Sequence, residues 1–250
     1  MKIAVLAAVV LGAGGIAVTT LPRPPFPGPV KSAPYAKRLA IVSSKTVPPS
    51  GGQVGTCFFH GPRPPQTFRG TTVQRTLCGT GFIVYGPDAA SAQYLLAFKR
   101  TGFRYGFDFK NYVWPPRIRP GEREFVYEEV VWAREADSVL YVENAHSTYA
   151  RSSYGQNAYI TAVDLKTKKR LWRSGALVAN ARTFVVTPDY LVTGYGFTNE
   201  PDWLYLLDRK TGRVVERLKL PTGPERITKS GDRIVVRTYD HVVVVKLRES

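Results

Sequence analysis

The densest set of side chains able to do recognition chemistry lies in GFRYGFDFKNYVWPPRIRP (102–120). Six aromatics stand there (Phe103, Tyr105, Phe107, Phe109, Tyr112 and Trp114), where an overall aromatic content of 12% predicts about two. Arg104, Lys110, Arg117 and Arg119 are interleaved with them. Aromatic faces beside cations stack on flat rings or sugars while pairing with acidic groups. Arg104, Tyr105, Lys110, Tyr112, Trp114, Arg117 and Arg119 are therefore the candidate binding residues. The competing reading of the same segment is an outer strand followed by a proline-rich connector, its aromatics buried by alternation.

Catalytic chemistry has thinner support. His60, His146 and His241 sit in dissimilar contexts (FFHGP, NAHST, YDHVV) and show no H-x-H or H-x-x-x-H spacing, so no metal site is expected. Glu122, Glu124, Glu128 and Glu129 read as a solvated strand face. TGYGFTNEPDW (193–203) carries G-x-G inside a hairpin, not at a helix start, and so lacks the context for cradling phosphate. The chain has no G-x-S-x-G elbow, P-loop or dinucleotide fingerprint. No catalytic residue can be assigned, and no cofactor is expected.

Those residues must be held by strands. After residue 37 the apolar runs are short and alternate with a period of two. LAIVS (39–43), GFIVYG (81–86), YLLAF (94–98), VLYVE (139–143), YITAVD (159–164), YLVTG (190–194), WLYLLD (203–208), RIVVRT (233–238) and HVVVVKL (241–247) are each bounded by Gly, Pro, Asn, Asp or Ser. No window shows a capped helical period. The fold expected is all-β.

The strands also repeat. Asp137, Asp189 and Asp232 each precede a short apolar strand, and a second apolar strand follows each one. A period of roughly 40–50 residues built from four short strands is the mark of a β-propeller or a related β array. Four repeats are visible, near 70–112, 125–173, 182–220 and 225–247. The last lacks its fourth strand, and KRLAIVSS (37–44) is suited to complete it. The expectation is a small propeller of four-stranded blades, four or five in number. A hairpin over 40–60 would supply the fifth, and an open, incomplete ring is the alternative.

AVDLKTKKRLW (162–172) resembles the A-x-D-x-x-T-G-x-x-x-W repeat of quinoprotein-like (pyrroloquinoline-quinone-type) propellers. Ala162, Asp164, Thr167 and Trp172 match, and Lys168 stands where glycine is usual. LLDRKTGRVVERL (206–218) keeps Asp208, Thr211 and Gly212 but has Glu216 in place of the tryptophan. The resemblance implies blade architecture and is silent on activity. The bound Ca²⁺ and catalytic carboxylates of the longer quinoprotein enzymes have no counterpart, nor do the sequence blocks of propeller-type glutaminyl cyclases. Physically, Asp-x-x-Thr-Gly is a hairpin turn, and Trp172 is expected to pack flat between neighbouring blades.

Residues 1–20 carry a single charge, Lys2, ahead of an uncharged run, which reads as a signal peptide or, if uncleaved, an N-terminal anchor. A proline-rich spacer is expected over 21–36 and the propeller domain over 37–250. Cys57 and Cys78 are the only cysteines. In an oxidising compartment they are expected to pair, closing a loop whose entropy contributes about 3 kcal/mol. With 35 Lys+Arg against 19 Asp+Glu the net charge is +16, spread over hairpin turns such as KTKKR (166–170) and DRKTGR (208–213). For an exported chain the fitting partners are a protein or an anionic cell-envelope polymer, not nucleic acid. The membrane is met only through an uncleaved N-terminus. Two functions remain open: an exported non-enzymatic binding or scaffold protein, and a secreted propeller hydrolase or lyase with its site at the central depression.

Overall fold

The computed structural model describes residues 26–30, 37–50, 66–77, 82–86, 94–99, 102–108, 129–145, 149–153 and 155–249. The signal segment, Cys57, Cys78, His60, His146, Glu122, Glu124 and Glu128 lie outside them. All regular structure among the described residues is β.

The chain enters the fold at β1 (Lys37–Thr46), whose partner comes from the far end of the sequence. The first sheet to form in chain order holds β2 (Thr67–Phe68), β3 (Thr71–Leu77), β4 (Phe82–Gly86), β5 (Tyr94–Lys99) and β6 (Gly102–Asp108), in that spatial order. The second is β7 (Glu129–Ala136), β8 (Val139–Ala145), β9 (Tyr159–Asp164) and β10 (Arg170–Arg173). The third is β11 (Val185–Val186), β12 (Tyr190–Tyr195), β13 (Trp203–Asp208) and β14 (Val214–Lys219). The fourth has β15 (Pro224–Ser230), β16 (Arg233–Thr238) and β17 (His241–Glu249), and β1 completes it antiparallel to β17, Lys37 opposite Glu249 and Thr46 opposite His241. Every sheet is an antiparallel meander, so each forms from local turns, and only the closure by β1 is long-range.

Side-chain alternation shows how the sheets stack. Leu191, Tyr195, Tyr205 and Leu207 pack on Tyr141, Ile160 and Trp172 of the second sheet. The residues between them, Val192, Leu204 and Leu206, pack on Ile227, Ile234, Val236 and Val243 of the fourth. A sheet covered on both faces needs apolar residues at consecutive positions, which is why β8 and β12 are buried almost end to end. β3 lies against β7, β11 and β12 against β15, and β14 against β1, so strands near the start of one sheet meet the first strand of the next, and the last strands of the third and fourth sheets meet. These are the blades of a small β-propeller, four of them among the described residues, the last closed by strands from both ends of the chain.

Two expectations change. Residues 40–46 are taken up in the pairing with β17, so they do not also begin a fifth blade. The proline-rich stretch is also more than a spacer: Phe26–Val30 lies on the third blade, where Phe26 packs on the core and the Val30 amide donates to the Val214 carbonyl at 3.0 Å. Proline suits such an edge position, where no ladder donor is required.

Candidate functional site

The repeat motif builds two adjacent hairpins at one end of the second and third blades. Asp164 Oδ1 accepts the amides of Lys166 (2.8 Å) and Thr167 (2.7 Å), and Asp208 Oδ1 accepts those of Lys210 (3.1 Å) and Thr211 (2.8 Å). The Thr167 amide, chiefly, holds the Asp164 carboxyl below its ordinary value. Gly212 has φ +70°, and Lys168 takes the same left-handed conformation at φ 58°. Trp172 reaches across to the next blade, its Nε1 donating to the Arg209 carbonyl at 3.0 Å. Its ring lies so close under Gly212 that a Cβ there would sit 2.4 Å from it. Asp164, Thr167, Trp172, Asp208, Thr211 and Gly212 therefore converge on the joint between two blades.

Sequence reasoning missed the residue at the centre of that joint. Arg209 donates to Tyr141 Oη (2.8 Å), the carbonyls of Pro188 (3.1 Å), Thr187 (3.3 Å) and Ala136 (3.3 Å), and Asp137 Oδ2 (2.7 Å). The run DRKTGR reads as solvated turn charge, and nothing in its composition marks the one arginine that turns inward.

Of the aromatic and basic segment, Arg104 and Tyr105 are in β6, the last strand of its sheet. Arg104 makes a two-pronged ion pair with Glu135 of β7, at 2.8 and 3.2 Å, joining the first blade to the second. Tyr105 stands opposite Ala97 in the ladder. Lys110, Tyr112, Trp114, Arg117 and Arg119 lie outside the described residues.

Titratable groups occur elsewhere. Glu143 in β8 is fully buried, neither carboxylate oxygen has a hydrogen-bond partner, and burial pushes its carboxyl well above the ordinary value. At the opposite end of the third blade from the hairpins, Tyr195 Oη donates to Glu200 (2.6 Å), which also accepts the Ala150 amide (2.7 Å). Asp202 nearby is pushed up to about 6, mainly by burial, with the Glu200 charge adding to the shift. His241 bonds Asp240 at 2.7 Å and Thr46 at 3.4 Å. No group of three His, Cys, Asp or Glu among the described residues is placed to hold a metal ion.

The cations are arranged differently. Lys166, Lys169 and Arg170 on one hairpin and Lys210 and Arg213 on the next are exposed, and none forms an ion pair among the described residues. Asp164 and Asp208, the acids of those hairpins, are turned onto backbone amides instead. This end of the two blades thus presents more positive than negative charge.

No protein-family model matches the sequence, and no curated protein matches it. Among solved structures the chain is similar to the computationally designed Ika8 protein at 10% identity and TM-score 0.45, covering 71% of this chain and 46% of Ika8. The chain thus spans about half the length of Ika8. It is similar to the computationally designed Ika4 protein at 11% identity and TM-score 0.44, covering 74% and 96%. BamB from Moraxella catarrhalis matches at 10% identity and TM-score 0.35, covering 70% and 69%. The propeller assignment rests on the sheet order and on the closure by β1.

Proposed function

We propose that the chain is an exported, non-enzymatic propeller that binds or scaffolds an anionic partner, either an acidic protein or an anionic cell-envelope polymer. The observation carrying this reading is the set of five exposed cations on the adjacent 164–170 and 208–213 hairpins that form no ion pair among the described residues. Excess positive charge on a surface attracts polyanions and speeds their encounter, and the attraction weakens with salt. The second hairpin is restrained, since Trp172 of the neighbouring blade bonds the Arg209 carbonyl and the Arg209 side chain is tied to Asp137. Cations on a restrained frame lose less freedom on binding.

A second reading, a secreted propeller hydrolase or lyase, draws on Asp202, whose raised carboxyl beside Glu200 is the kind of acid that holds a proton near neutrality. Glu200 is already committed to Tyr195 and the Ala150 amide, however, so it leaves Asp202 without a free ionised partner.

Binding of the full chain to immobilised polyglutamate and to polyphosphate, at low and at moderate salt, tests the first reading. Reversing Lys166, Lys169, Lys210 and Arg213 to glutamate is expected to abolish the salt-sensitive binding. Retention of that binding in the reversed variant overturns it.

A further inference from the structure

The segment lying on the third blade makes contacts of a specific kind. Phe26 meets the Tyr195 ring at 5.7 Å between centroids, tilted by 51°. Pro27 sits over Gly175, where an added Cβ would make an ordinary van der Waals contact with its ring at 3.7 Å. Arg217 stacks on Trp203 with its guanidinium carbon 4.4 Å from the ring centroid. Its Nη1 also donates to two successive peptide carbonyls, Phe26 at 3.4 Å and Pro27 at 3.2 Å. Beyond them the Val30 amide bonds the Val214 carbonyl on the edge of β14.

We infer that this seam between the second and third blades is a recognition groove for proline-rich peptide, filled in cis by the chain's own Phe26-Pro-Gly-Pro-Val30. Proline-rich segments lose little conformational entropy on docking because their backbone is already extended, and they lack amide donors. A site that reads them offers aromatic faces for the rings and a donor for the exposed carbonyls. Tyr195 supplies a face for Phe26, Arg217, itself stacked on Trp203, supplies the donor, and Gly175 lies in contact range of Pro27. Arg217 reads carbonyls and not a side chain, so the groove accepts a backbone of this shape from any source. The inference rests on residues other than the cations of the hairpins, although the segment runs along the third blade from Tyr195 to Val214, next to the 208–213 turn. Its consequence is competition: a proline-rich segment of another chain enters only when the resident one leaves.

The test uses the full chain and a free peptide, RPPFPGPV, with the sequence of residues 23–30, by calorimetric titration. The unaltered chain is expected to take up the peptide at least tenfold more weakly than a Phe26→Ser/Pro27→Ser variant, whose groove is vacated. Adding Arg217→Gln to that variant is expected to weaken the peptide again by about tenfold. A vacated variant that melts cooperatively yet binds no peptide overturns the inference, as does an affinity indifferent to Arg217. Hydrogen exchange on the unaltered chain decides the matter however the variants fold. The Val30 amide is expected to exchange slowly, and faster when free peptide is in excess. Exchange at the unprotected rate, or no response to peptide, overturns it.

Discussion

Glu216 holds in β14 the place that Trp172 holds in β10, eight positions after the hairpin aspartate, and its carboxylate accepts the backbone amide of Leu39. The exchange of residue follows from what the next blade offers. Trp172 faces a hairpin and donates its indole N–H to a carbonyl, that of Arg209. The fourth blade has no hairpin there, because its third and fourth strands, β17 and β1, come from opposite ends of the chain. It presents a strand amide instead, and an acceptor is needed. The departure from the repeat thus marks where the incoming β1 completes the fourth blade.

Glu216→Ala is accordingly expected to destabilise the fold by about 1–3 kcal/mol, the range for a partly buried bond between a charged acceptor and an amide. Glu216→Trp should not rescue it, since there is no hairpin turn for the indole to cover. Urea midpoints of the two variants check this. An unchanged midpoint for the alanine variant would remove the closure role.

The two hairpins make opposite predictions at equivalent positions. Gly212→Ala places a Cβ 2.4 Å from the Trp172 ring at φ +70°, so strain and clash act together, and a loss above about 2 kcal/mol is expected. Lys168 already bears a side chain at φ 58°, and Lys168→Gly is expected to stabilise by up to about 1 kcal/mol. Thermal denaturation of the pair decides. Shifts of the same sign would contradict the packing of Trp172 on Gly212.

Arg209 engages groups from three chain segments, and their weights differ. Asp137 is 79% exposed, so its ion pair is screened, and Asp137→Ala should cost under about 1 kcal/mol. The partly buried bonds to Tyr141 and to the carbonyls of Ala136 and Thr187 need the planar fork. Arg209→Lys is therefore expected to cost about 2 kcal/mol, although charge is conserved. A double-mutant cycle between positions 209 and 137 should give a coupling well below the loss from Arg209→Lys. Equal values would place the contribution in the ion pair instead.

What could be read from the chain tracks how local each interaction is. Period-two runs bounded by turn residues located β8, β9, β12, β13, β16 and β17, because alternation is a property of neighbouring residues. The missing fourth strand and the spare run at 37–44 pointed to the closure for the same reason. Phe26–Val30 escaped notice because a proline-rich segment has no period, and its partners Gly175 and Arg217 are remote in sequence. Arg209 and Lys210 are indistinguishable by composition, yet one is clamped and the other exposed. Arg104 read as a ligand-binding cation, whereas its carboxylate partner Glu135 became visible only when β6 and β7 were placed together.

Glu143 was the least legible residue, an acid in the strand VLYVENA that looks like an ordinary edge of the hydrophobic run. The ladder sets it between Trp132 and Ile160, and alternation puts it on the face of Tyr141, turned to the seam where Tyr195 and Tyr205 pack. With no partner for either oxygen, burial holds the folded carboxyl protonated well above the usual range. The unfolded chain releases that proton near pH 4.3. Above that pH the native state binds the extra proton, so its stability falls as pH rises, until the folded group itself ionises. Glu143→Gln keeps a neutral side chain of the same shape and removes the titration. Relative to the unaltered chain, the variant is expected to gain about 1.4 kcal/mol for each pH unit above the unfolded value, while the folded glutamic acid stays neutral. Urea midpoints of the two chains between acid and mildly alkaline pH should diverge in that sense, and parallel profiles would show that Glu143 is ionised in the fold.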